Sequence, residues 1–139
     1  MIHREIRIGC WKVDFLFAEA VYDEEEVLTL MYDNEAPYDR MLDAKDIMED
    51  NIPNTGFTYS DPEYHYALVV VGPTTSGGEF IDTLTHELLH LATEVAVSHG
   101  DTAGGETAAY TLGDTALELS DAICLMGCVP QSRYRDLHI

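Results

Sequence analysis

The chain has 139 residues, 46% of them hydrophobic, which is enough for one domain with a real core. Its formal charge of −19 sets 26 acids against seven Lys and Arg, too few cations for a phosphate-binding surface, so nucleic acid is excluded as a partner. No run approaches the ~18 apolar residues of a membrane span, so no membrane partner is expected.

The start, Met1-Ile2-His3-Arg4-Glu5, lacks a signal peptide's apolar region, and this predicts a cytoplasmic protein. Three cysteines, Cys10, Cys124 and Cys128, fit reduced thiols better than a disulfide framework. The acid excess reads as a well-solvated surface, and it favours cation binding without selecting the ion.

In chain order, residues 2–18 read as strand. Ile6, Ile8 and Cys10 alternate on one parity, then Trp11, Val13, Phe15 and Phe17 on the other, which places a bulge, or a bend between two short strands, at Gly9-Cys10. Asp23 before Glu24, Glu25 and Glu26 marks a helix start, acids being favourable at that end of the dipole. This helix stops before Pro37. A second one, about 39–50, buries Met41, Ala44 and Met48 and ends at Asn51. After a turn at Asn54-Thr55-Gly56, strands at 57–60 and 64–72 flank Asp61-Pro62-Glu63 as a hairpin. The stretch 67–71 is apolar on both parities and is therefore central or covered on both faces. The expected architecture is α+β: a single domain over 1–139, with a small, mainly antiparallel sheet of three to four strands and helices mainly on one face. Its polar end, 130–139, reads as a disordered tail or as a segment lying over a cleft.

The most informative stretch is 76–100. Ser76 with Glu79 fits a capping box, and Gly100 fits a left-handed residue past the last turn. Within this helix stand His86, Glu87 and His90. Residues four apart lie one above the other, so both imidazoles can reach one metal ion, with Glu87 beside them as a base for water. Leu84, Leu88, Leu91 and Val95 form a core-facing stripe roughly opposite the pair. The plainer alternative is two hydrogen-bonded histidines on a packed helix. Glu94 lies on the same side as Glu87, either as nearby charge or as a solvated acid.

Catalytic zinc sites use three protein ligands. Positions 93 and 96 are Thr and Ala, so a third histidine further along this helix is out, and His99 faces away. Asp101 would need a loop folding back. Glu106 is preferred: it opens a helix of about 104–126, capped by Gly127 with Pro130 beyond, which returns antiparallel to the first. Glu106, Tyr110, Gly113 and Leu117 share one face. Gly113 would then permit close approach near Thr93 and Val97. Cys124 and Cys128, four apart, read as buried thiols.

His86-Glu87-Leu88-Leu89-His90 followed by a glutamate on the next helix resembles the gluzincin metallopeptidases, in particular minimal single-domain members. Asn54-Thr55-Gly56-Phe57-Thr58-Tyr59, the strand ending at Gly72, Thr83-Leu84-Thr85-His86-Glu87 and the run Glu106 to Asp114 resemble small uncharacterised proteins of phages and mobile elements of gut bacteria. The resemblance covers about 54–128. It implies a zincin-like fold, Zn²⁺ held by His86, His90 and Glu106, and Glu87 as general base. A peptide or protein substrate would lie along a sheet edge between Phe57 and Gly72. Larger gluzincins often carry an Asp four residues after the glutamate ligand; here that position is Tyr110, a candidate for orienting a ligand or donating to an oxyanion. Tyr59, Tyr66 and His65 are further candidate donors. The competing reading is a non-catalytic, metal-stabilised accessory protein, against which the presence of a base at Glu87 counts.

Overall fold

A computed structural model describes residues 1–128 of the chain. The first two strands, β1 (Ile2–Ile8) and β2 (Trp11–Phe17), pair antiparallel around Gly9-Cys10. Gly9 takes φ +58 at the first turn position, where a residue with a side chain would be strained. The parity slip in the sequence is therefore a tight hairpin between two strands and not a bulge within one.

After β2 come α1 (Glu24–Asp33) and α2 (Tyr38–Asp50). Asp23 caps α1 by accepting from the Glu26 N–H, and Asn51 ends α2 in the left-handed conformation at φ 49. The hairpin β3 (Gly56–Asp61) and β4 (Tyr66–Val71) follows, then α3 (Gly77–Ser98), α4 (Glu106–Glu118) and the short α5 (Ser120–Ile123). The order across the sheet is β1-β2-β4-β3. Two of its three pairings are antiparallel, while β2 and β4 run parallel, so the sheet is mixed and β3 lies at an edge.

Both faces of the sheet are covered, which corrects the expectation of helices mainly on one. Trp11, Val13, Phe15 and Phe17 of β2 with Ala67, Val69 and Val71 of β4 meet Phe80, Leu84, Leu88, Leu91 and Val95 of α3. Leu16, Leu68, Val70, Tyr59 and Tyr66, of the opposite parity, meet Val27, Met31, Ala44 and Met48 of α1 and α2. This is why β4 is apolar on both parities: it is central and sandwiched. Met41, expected in the core, is half-buried at its margin.

The long helix foreseen over 104–126 breaks at Leu119, which is fully buried and caps α4; Cys124–Cys128 then forms a π-helical turn. Cys124 falls on the face away from Leu119 and Ala122 and is exposed, so its reading as a buried thiol is corrected. The Cys128 side chain, Pro130 and the segment 130–139 lie outside the described residues. Among the described residues no helix is long and apolar enough to cross a membrane.

Candidate metal centre

The start of α3 is fixed by Ser76, whose Oγ accepts from the Glu79 N–H at 3.1 Å, and Gly100 at φ 81 follows its end. Once the leucine stripe is seated on the sheet, helical geometry turns His86 and His90 outward and Glu87 sideways towards β3. The imidazoles are exposed and their Nε2 atoms stand 3.2 Å apart. Two nitrogens at roughly 2.05 Å from one tetrahedral ion are separated by roughly 3.3 Å, so this pair fits two corners of a zinc site. The same separation is that of a hydrogen bond between the rings, one nitrogen donating and the other accepting.

Glu87 is only 4% exposed. Its Oε1 accepts from Thr58 Oγ1 at 2.9 Å, tying α3 to the middle of β3. One turn earlier Thr83 Oγ1 donates to the Asn54 carbonyl at 3.2 Å, so α3 follows β3 along its length. This contact depends on Gly56: a Cβ there would stand 2.5 Å from the Val70 carbonyl oxygen and 3.3 Å from Glu87 Cγ. The Tyr22 phenol stands near enough to feel the Glu87 carboxylate. Burial first, and that negative charge besides, hold Tyr22 above the usual phenol range.

His86, Glu87, His90 and Glu94 form one wall of a hollow of about 520 Å³ whose other walls are Gly56, Phe57, Thr58 and Ser60 of β3, Pro62, and Arg40 of α2. A second hollow, of about 290 Å³, shares Gly56, His86 and Glu87 and continues to Asn54 and Asp82. Together they make a trough along the edge of β3 that no other described strand pairs, with the histidines beside it.

The other expected participants are elsewhere. Glu106 is exposed, and does not line this trough. Among the described residues no third His, Cys, Asp or Glu closes on the histidine pair. The face of α4 that packs on α3 carries Ala108, seated on Ala92 and Ala96, with Leu112 beside it. Glu106 lies about 160° round the helix from Ala108. The stripe Glu106, Tyr110, Gly113, Leu117 therefore points outward: Tyr110 is 68% and Leu117 74% exposed, and a Cβ on Gly113 would meet nothing within 4 Å. Close approach of the helices is real, but alanines provide it.

Tyr110 lines a different hollow, between β1 and α4. Tyr59 is buried on the α2 side of the sheet, Tyr66 donates to Asp14 Oδ2 at 2.9 Å, and His65 packs edge-on against Trp11. None of these four enters the trough. Sequence reasoning missed Thr58 and Arg40. Thr58 had a signal, since its parity places it on the α3 face of β3; Arg40 had none beyond being one of seven cations. No protein-family profile, curated protein or solved structure matches this chain.

Proposed function

We propose that the chain is a zinc-dependent peptidase acting on an extended peptide held along β3. One observation carries this reading: His86 and His90 present Nε2 atoms at ligand spacing beside an open strand edge, with a carboxylate between helix and strand. His86 and His90 would take two corners of the ion's shell; Glu106, on the outward face of α4, is left out, and no third protein ligand stands beside them among the described residues. A zinc ion there would lower the pKa of water and polarise a carbonyl.

The residues of the chain divide the remaining work. The unpaired edge of β3 supplies main-chain donors and acceptors to an added strand, which sets the scissile bond beside the histidines. Glu87 takes a proton from water at its carboxylate and returns it to the leaving amine, while Thr58 fixes that carboxylate's orientation through Oε1. Burial of Glu87 under β3 limits exchange with bulk water.

The second reading, a non-catalytic metal-stabilised accessory protein, has one observation in its favour. Glu87 has a structural hydrogen bond that would fix helix to strand without any chemistry. Zinc analysis combined with digestion of a peptide library by the wild type and by Glu87→Gln separates the two. Zinc retained in both with cleavage only by the wild type supports the peptidase; zinc retained with no Glu87-dependent cleavage supports the accessory role. A chain that binds no zinc in either form ends both.

A further inference from the structure

Of the five Lys and Arg among the described residues, Arg4 pairs with Asp121 at 3.0 Å and Lys45 with Glu49 at 3.7 Å, while Arg7, Lys12 and Arg40 pair with no described carboxylate. Arg40 alone of these three lines the hollow of the histidines, and it is exposed, so water solvates its charge when the trough is empty. Helix stability does not account for a cation at this position. Arg40 occupies the first turn of α2, where a positive charge opposes the helix dipole. Asp61, which acts on the same Tyr59 ring, forms no ion pair with Arg40; its Oδ1 accepts from the Glu63 and Tyr64 N–H groups at 3.0 and 3.3 Å.

The guanidinium carbon sits 5.6 Å over the Tyr59 ring. A guanidinium over an aromatic face keeps N–H groups to offer, and these can receive a carboxylate through two parallel hydrogen bonds. Among the described residues Arg40 is the one cation lining the hollow that also contains His86, Glu87, His90 and Glu94. We propose that Arg40 is a substrate-binding residue that recognises a carboxylate on the peptide in the β3 trough, either its C-terminus or an acidic side chain. This rests on the reading of the trough as a peptide site, but not on cleavage. A molecule carrying −19 repels acidic ligands at long range, so a local cation is what admits one.

The test uses the metal-free full chain and reads binding, not turnover. Three probes are titrated by NMR: acetyl-pentaalanine with a free C-terminus, its C-terminal amide, and acetyl-Ala-Ala-Glu-Ala-Ala amide. One of the two carboxylate peptides should bind about five- to tenfold more tightly than the neutral amide. Which one does so identifies the source of the carboxylate. Arg40→Gln should erase that preference and Arg40→Lys restore part of it, with melting midpoints showing both variants folded. Equal affinity of the wild type for all three peptides, or a preference that survives in Arg40→Gln, overturns the proposal. Zinc- and Glu87-dependent cleavage alongside equal affinities would leave the peptidase standing and remove Arg40 alone. A carboxylate preference without cleavage would do the reverse.

Discussion

The hydrogen bond between Thr58 and Glu87 is where fold and site meet, and Thr58→Val tests it. The Glu87 carboxylate is 4% exposed and accepts from Thr58 Oγ1 at 2.9 Å. Valine keeps the shape of threonine while deleting the donor, so the change isolates the bond. A hydrogen bond to an ionised group contributes about 1.5–3 kcal/mol, and Thr58 is the one side-chain donor to this carboxylate among the described residues, which favours the upper half of that range. The extra buried methyl returns less than about 1 kcal/mol. The net loss is about 2 kcal/mol, a fall of roughly 6–10 °C in melting midpoint for a chain of this size. Thr58→Ser, which retains the hydroxyl, should lose less than half as much. Differential scanning calorimetry at neutral pH decides it. A Thr58→Val midpoint matching that of the wild type would show that water, not Thr58, satisfies Glu87 and that the base is not held as described.

Four other outcomes follow from the geometry. Gly113→Ala should stabilise the chain by about 0.5–1 kcal/mol in urea unfolding, because its Cβ meets nothing and Ala is the better helix former. Gly56→Ala should destabilise by about 1–3 kcal/mol, since its Cβ collides with the Val70 carbonyl and presses on Glu87; a midpoint unchanged on heating would refute the close approach. Zinc affinity, measured by competition with a chromophoric chelator, should be lost in His86→Ala and His90→Ala and unchanged in Glu106→Ala; a tenfold loss in the last would show that α4 rolls when the ion binds. Burial first, and the Asp14 carboxylate besides, push the Tyr66 phenol far above its ordinary range. The unfolded chain therefore ionises Tyr66 from about pH 10 while the folded chain does not, stability falls as pH rises above that point, and Tyr66→Phe should make the alkaline loss shallower in unfolding experiments.

Much of the fold was legible because its signals are local. Asp23, Ser76, Asn51 and Gly100 each act within a few residues of their own helix end, and each does what its sequence context predicts. The double-parity run 67–71 marked a central strand for a physical reason: only a strand covered on both faces can be apolar at every position. Which face each helix covers was not legible. Val27, Met31, Ala44 and Met48 need only some apolar surface, and periodicity does not say whether the sheet offers its near or far side. The parallel pairing of β2 with β4 was hidden for the same reason, being created by two intervening helices that cross one face of the sheet and by β3, which turns back into β4.

The site divides along the same line. His86 and His90 were readable as a pair because four-residue spacing brings their rings together whatever the rest of the chain does. A third partner depends on how a second helix is rotated, and α4 offers two stripes at the same period. One is Ala108, Leu112 and Thr115; the other is Glu106, Tyr110, Gly113 and Leu117. Bringing the second stripe inward would require α4 to roll by about half a turn. That would expose Ala108 and Leu112 and set the bulk of Tyr110 and Leu117 against Ala92 and Ala96, forcing apart axes that small residues now let approach. Burying the second stripe would also take the Glu106 carboxylate out of water without a partner. The face that carries Glu106 is the outward one because side-chain volume, and not ligand chemistry, sets the rotation of this helix pair.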